Sequence, residues 1–167
     1  TDNFNKFIRE ITNKHGSLML FDEVMTGFRV SDGGWWKKYE AEITPDIFAF
    51  GKVIGGGFPL AAIAGTKETM SLLAPEGDVY QAGTLSGNPV ATIAGLTTLQ
   101  HCDSSVYKHL DKTAEQIGNG ISEVLTKAGI EHALQKAGNL FSIFFGVSEV
   151  TNYSDAKNQD TEMFKRF

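Results

Sequence analysis

The sequence predicts an α/β fold, and three stretches carry that expectation. Near the N-terminus Phe4, Phe7, Ile8 and Ile11 recur at helical spacing and lead into an apolar run of strand length, Ser17-Leu18-Met19-Leu20-Phe21. A helix followed by such a strand is half of a β-α-β unit, and a run apolar on both faces suits a buried parallel sheet. A second apolar run, Ile47-Phe48-Ala49-Phe50, reads as a buried strand that stops at Gly51 and passes directly to Lys52 and then to Gly55-Gly56-Gly57. Beyond the glycines, strand and helix patterns continue to alternate.

Taken in order, the first helix ends at the stop signal His15-Gly16. Asp22-Glu23 is expected to end the first strand, and Val24 to Gly34 to form a loop. Trp35-Trp36-Lys37-Lys38-Tyr39 reads as a short helix whose tryptophans cover a core. Thr44-Pro45-Asp46 is a turn that launches the strand before Lys52. Leu60 to Gly65 is a short strand of small side chains, and Lys67 to Leu73 a short helix. Tyr80 to Gly87 is a loop rich in small and hydroxyl residues. Asn88-Pro89 opens the next helix, with Asn as N-cap and Pro at the first helical position. Val90 to Leu99 is apolar or small nearly all round, which predicts a buried helix. Val106, Leu110, Ile117, Ile121, Val124 and Leu125 then share one face of a long amphipathic helix. Gly138-Asn139 turns into a strand, Leu140 to Phe145, and Asp160 to Phe167 is helical.

The chain has 167 residues, 41% of them hydrophobic, enough for a packed core. Its net charge is −5 and its basic residues are scattered, so neither a nucleic-acid nor a membrane-surface partner is expected. No apolar run approaches a membrane span. The single cysteine, Cys102, reads as a small, partly buried side chain and suits a reducing compartment. The chain opens without Met and closes within a charged segment, and it reads as a piece of a longer protein. The expected compartment is the cytoplasm, or a plastid if a targeting segment lies upstream.

Two chemistries compete for the strand ends. Leu18 to Glu23, LMLFDE, resembles the acidic strand of a nucleotide hydrolase, although no P-loop accompanies it here. The other reading pairs Asp22 with Lys52, 30 residues on, each closing an apolar strand. If the strands are parallel neighbours, both ends face one crevice, where ligands of open α/β sheets bind. An amine and a carboxylate there suit pyridoxal phosphate: the amine carries the cofactor, and the carboxylate keeps the pyridine nitrogen protonated. The blander reading of Lys52 is a surface lysine before a flexible turn.

DEVMTGFR (22–29), TPD with GKVIGGGFP (44–59) and YQAGTLSGNP (80–89) closely resemble the class III aminotransferase family, which are fold type I pyridoxal-phosphate enzymes. The resemblance implies a fold type I transferase. Residues 1–104 would be the later part of the large cofactor-binding domain. Residues 105–167 would be a linking helix and the start of a C-terminal α+β domain. It implies that Lys52 carries the cofactor, that Asp22 pairs with the pyridine nitrogen and that Val24 packs against the ring. Gly83 and Thr84 would reach the phosphate of a neighbouring subunit, in a homodimer with shared sites. Glu23 and all four histidines, His15, His101, His109 and His132, inherit no site role, and no metal is expected. Met25 and Arg29 stand where relatives with other substrates usually carry Gln and Gly. That favours the branch that transposes an amino group within glutamate-1-semialdehyde to give 5-aminolevulinate, a step of tetrapyrrole biosynthesis. The cofactor would pass through its pyridoxamine form, and the substrate would be a small amino-aldehyde. The segment 34–43 is slightly longer than is typical of the family, and the family's main phosphate turn, lid and substrate-carboxylate contacts fall outside the chain.

Overall fold

A computed structural model describes residues 3–167, which divide into two compact units, one through Ser104 and one of Ser105–Phe167.

The first unit is built on a three-stranded sheet in the order β1 (Leu20–Glu23), β2 (Ile47–Phe50), β3 (Ala62–Gly65). β1 and β2 are parallel, with Leu20 opposite Ile47 and Glu23 opposite Phe50; β3 runs antiparallel to β2. Helix α1 (Phe4–His15) precedes β1 and closes on Gly16, whose left-handed backbone (φ 64°) returns its N–H to the last turn. Asp22 and Glu23 are the last two residues of the first strand, as expected, whereas Ser17 to Met19 lead into it rather than forming its start. The reason is pairing: a strand extends as far as its neighbour offers ladder partners, and β2 offers them from Ile47, opposite Leu20.

One sheet face, carrying Phe21, Glu23, Phe48 and Phe50, is packed. Phe48 stacks parallel to Phe50 with centroids 5.9 Å apart, Trp36 meets Phe48 edge-on at 5.3 Å, and Phe28 tilts against Phe50 at 5.5 Å. Trp36 belongs to α2 (Gly34–Tyr39) and donates its indole N–H to the Ile43 carbonyl at 2.7 Å, so it covers a core as its sequence context suggests. The other face carries Leu20, Asp22, Ala49 and Ile63. Leu20 and Ile63 remain exposed there, and β2 is half-buried rather than buried. An apolar strand is covered only where a second layer reaches it, and here one layer does.

After β2 come a 3-10 turn, Lys52–Gly55, then β3, α3 (Lys67–Met70) and α4 (Pro89–His101). Asn88 caps α4 as predicted, its Oδ1 accepting from the N–H of Val90 at 2.9 Å and of Ala91 at 3.2 Å. The expectation of an all-round buried helix is corrected: Ala91 and Gly95 are buried, whereas Val90, Ile93 and Leu96 are exposed. Its fully buried face is the narrow one formed by the small residues Ala91 and Gly95.

The second unit holds α5 (Ser104–Lys127), the hairpin β4 (His132–Ala137) and β5 (Leu140–Phe145), α6 (Tyr153–Lys157) and α7 (Thr161–Arg166). Leu125, Ile143 and Phe145 form its core, with Ile121, Ile130, Leu134 and Met163 against them. The sequence reading did not include β4 or α6. β4 pairs along its whole length with β5, and its own residues, His132-Ala133-Leu134-Gln135-Lys136-Ala137, alternate too weakly to announce a strand. His132 is structural: its Nδ1 lies 2.9 Å from the Ile130 carbonyl and its Nε2 2.7 Å from Ser122 Oγ.

Candidate active site

The parallel register of β1 and β2 decides where the two chemistry-bearing side chains stand. Asp22 is opposite Ala49, on the open face of the sheet, and the β2 chain leaves the sheet at Phe50, two residues before Lys52. Both side chains are exposed at the same, carboxyl-terminal end of the parallel pair, where ligands of such sheets bind. Asp22 turns one oxygen back on its own backbone, Oδ1 accepting from the Val24 N–H at 2.9 Å. Among the described residues nothing bonds its other oxygen, and nothing bonds the Lys52 amine.

Lys52 has a left-handed backbone, φ 50°. A side chain with a Cβ pays about 1–2 kcal/mol for that conformation, so it persists where surroundings dictate it, and such residues gather at functional sites. The 3-10 turn supplies part of the dictation, with Ile54 N–H donating to Gly51 O at 3.3 Å and Gly56 N–H to Val53 O at 3.0 Å. Val24 joins the same corner. A Cβ built on Gly51 would lie 3.2 Å from Val24 Cγ1, so Val24 rests on the residue that precedes Lys52.

The segment 80–87 is exposed and turns tightly into α4, through Ser86 N–H to Gly83 O at 2.9 Å and Asn88 N–H to Leu85 O at 3.1 Å. Gly83 and Val24 line one open cleft of about 860 Å³, with Ala49, Ile63, Ser86 and Gly87. Asp22, Lys52 and Thr84 do not line it. The fold thus gathers Asp22, Val24 and Lys52 at the end of β1 and β2 and joins Val24 to Gly83 through a shared cleft. Thr84 stands on the exposed rim.

Glu23 has no exposed surface and is turned to the opposite face. Its Oε1 accepts from the Trp36 N–H at 2.7 Å and its Oε2 from the Trp35 N–H at 3.0 Å and from the Thr26 hydroxyl. It serves as the N-terminal cap that α2 lacks from its own side chains. An acid so engaged is not available as a catalytic base at a nucleotide. The sequence signal for this role was the short helix start Gly33-Gly34 followed by two aromatic residues, which needs an acceptor from elsewhere.

Residues 1–164 match the protein-family model described as aminotransferase class-III. The chain is 53% identical over 168 residues to a glutamate-1-semialdehyde 2,1-aminomutase of Cutibacterium acnes, covering 98% of this chain and 38% of that protein. It thus spans well under half the length of the curated relatives it matches, 38% for a second one, from Propionibacterium freudenreichii, at 49% identity. Among solved structures it superposes on an omega-transaminase from Sphaerobacter thermophilus with TM-score 0.79 and 35% identity, over 93% of this chain and 35% of that one. A transaminase with PLP bound superposes with TM-score 0.77 at 25% identity, over 86% of this chain and 34% of that one.

Proposed function

The chain belongs to the class-III aminotransferase family, and on that premise we propose that the protein containing it is a pyridoxal-phosphate aminomutase that converts glutamate-1-semialdehyde to 5-aminolevulinate. The observation that carries the reading is the register: it sets the Asp22 carboxylate and the Lys52 amine at one end of the parallel pair, each with polar capacity that no described residue uses. The residues fit the cofactor. Asp22 has an unbonded oxygen on a sheet face whose neighbour, Ala49, is too small to fill the space in front of it. Val24 offers an apolar contact beside Lys52. The substrate assignment is supported by the relatives of that name and by the wording of residues 22–29 and 82–89.

When bound, pyridoxal phosphate supplies an electron sink for charge that develops on a substrate carbon. Lys52 Nζ would hold the cofactor covalently and would serve as general base and general acid, carrying a proton at the substrate carbon. Asp22 Oδ2 would accept a charge-assisted hydrogen bond from the pyridine nitrogen and keep it protonated, while the Val24 N–H fixes the carboxylate through Oδ1. Val24 would pack on the ring. Gly83 and Thr84, before the N-terminus of α4, would bind phosphate with backbone N–H and hydroxyl groups, in a homodimer where each loop would serve the partner's site. Residues 1–104 fall in the large domain and 105–167 in the linking helix and small domain. Among the described residues no helix is long and apolar enough to cross a membrane.

The second reading, an aminotransferase with separate amino donor and acceptor, is favoured by the fold match to an omega-transaminase at 35% identity. Amino-donor dependence separates the two. The full-length enzyme given glutamate-1-semialdehyde alone is expected to form 5-aminolevulinate; turnover that requires an added amino acid and keto acid establishes the aminotransferase instead.

A further inference from the structure

The turn that bears Lys52 is held against α4 with almost nothing between the two backbones. A Cβ on Gly95 would collide with the carbonyl oxygen of Ile54 and lie 3.2 Å from Leu60 Cδ2. A Cβ on Gly56 would sit 2.6 Å from the carbonyl oxygen of Ala94 and run into Thr98 Oγ1. These neighbours are mainly backbone, which cannot swing aside as the tip of a flexible side chain does. A close-packed interior transmits such a displacement. The Ile54 N–H is bonded to Gly51 O across Lys52, so the turn moves as one piece with the lysine inside it.

We propose that Gly95 is a positioning residue for the Lys52 amine: its missing side chain lets α4 seat the turn at the depth that holds Lys52 in its left-handed backbone and aims Nζ at the cofactor. This rests on the reading of Lys52 as the cofactor-bearing lysine. The left-handed backbone is the second, independent sign, because a non-glycine residue keeps it where its surroundings over-determine it. Gly95 touches neither cofactor nor substrate; it acts through Ile54 and the turn.

The test uses full-length apoprotein and pyridoxal 5′-phosphate as probe. Borohydride traps the lysine adduct, and mass spectrometry of the Lys52 peptide gives the trapping rate. The pH midpoint of the visible absorbance of bound cofactor is the second readout, and thermal unfolding reports the fold. Gly95→Ala is expected to slow trapping about 10-fold to 100-fold, the scale of an ångström misplacement, and to move the pH midpoint. Thr98→Leu, which presses on Gly56 from a half-buried position, is expected to act in the same direction more weakly. Gly120→Ala in α5, where an added Cβ meets nothing within 4 Å, controls for glycine replacement in a helix and is expected to leave both readouts unchanged. Folded Gly95→Ala and Thr98→Leu proteins with the wild-type trapping rate and pH midpoint overturn the proposal. If Gly95→Ala does not fold, Thr98→Leu decides alone. A wild-type label on a lysine other than Lys52 sinks the cofactor assignment and the positioning role together, whereas a Lys52 label indifferent to both variants sinks only the positioning role.

Discussion

Arg9 and Asp46, 37 residues apart in sequence, are joined by a guanidinium–carboxylate contact of 2.7 Å. The same carboxylate oxygen accepts from the Met19 N–H at 2.7 Å, and the Asp46 N–H returns a bond to the Met19 carbonyl at 3.0 Å. The Asp46 carbonyl then takes the Thr66 N–H at 3.1 Å, so one residue ties α1 to the points where β1 and β2 start and to the end of β3.

That knot predicts an acid limb. The Met19 N–H, and after it the Arg9 guanidinium, hold the Asp46 carboxyl below the usual aspartate range, against the opposing effect of burial. A carboxyl whose pKa is lower folded than unfolded contributes stability that is complete above the unfolded value and is lost as pH falls through the folded one. Urea midpoints of the full-length protein should therefore drop below the ordinary aspartate pKa, and Asp46→Asn should remove that part of the slope. An unchanged acid limb in Asp46→Asn assigns the slope to other carboxylates.

Glu23→Ala leaves the Trp35 and Trp36 N–H groups of α2 without their acceptor. Each buried donor so orphaned costs about 1–3 kcal/mol. Glu23→Gln keeps an acceptor and should cost less. Chemical unfolding gives the order directly, and a Glu23→Ala protein as stable as wild type contradicts the capping role.

Lys52→Gly and Lys52→Ala both remove the amine, and neither should retain covalently held cofactor. Their apoproteins should differ. Glycine takes the left-handed backbone without strain and alanine does not, so Lys52→Gly is expected to be more stable by about 1 kcal/mol, net of glycine's greater unfolded freedom. A Lys52→Ala protein that melts above Lys52→Gly would show the backbone there to be unstrained, since glycine's unfolded freedom would then act alone.

The shared-site arrangement is tested by mixing. Full-length Lys52→Ala and Thr84→Asp homodimers should each be nearly inactive, the second through a negative charge set against the phosphate. Refolded together, they form mixed dimers. If the 80–87 loop serves the partner, one site in each mixed dimer has native Lys52 and native Thr84, and activity returns. If mixed dimers form and stay inactive, the loop acts within its own chain.

Much of this was legible because it is written locally. The strand 47–50, the Gly16 stop of α1, the Asn88-Pro89 start of α4 and the strand 140–145 each depend on residues within one turn or one ladder, and all stand where the pattern puts them. What was not legible depends on partners far along the chain. The first strand starts at Leu20 because β2 pairs with it from Ile47, β3 turns antiparallel, and β4 exists because β5 lies beside it. The apolar wrap of α4 could not say which face would be used, and the face used is the one whose side chains are missing. The candidate site divides in the same way. Asp22, Val24, Lys52, Gly83 and Thr84 could be named from their motifs. The left-handed backbone of Lys52 and the burial of Glu23 could not, because each belongs to a turn or strand that packs against an element distant in sequence, α4 for the Lys52 turn and α2 for Glu23.

Neighbouring residues of a strand point to opposite faces, and β1 hands Asp22 to the open face and Glu23 to the packed one. Its apolar residues would tolerate the reverse, since Leu20 and Phe21, like Ile47 and Phe48, suit either side. A slip of one residue in the β1–β2 ladder would exchange the two acids. The shorter Asp22 would be sealed inside without the reach of Glu23 to the α2 amides, and Glu23 would hang outward. The adjacent carboxylates thus act as a registration key, rejecting misaligned pairing by desolvation where sterics are indifferent. The register that satisfies the Trp35 and Trp36 amides of α2 is the one that turns Glu23 inward.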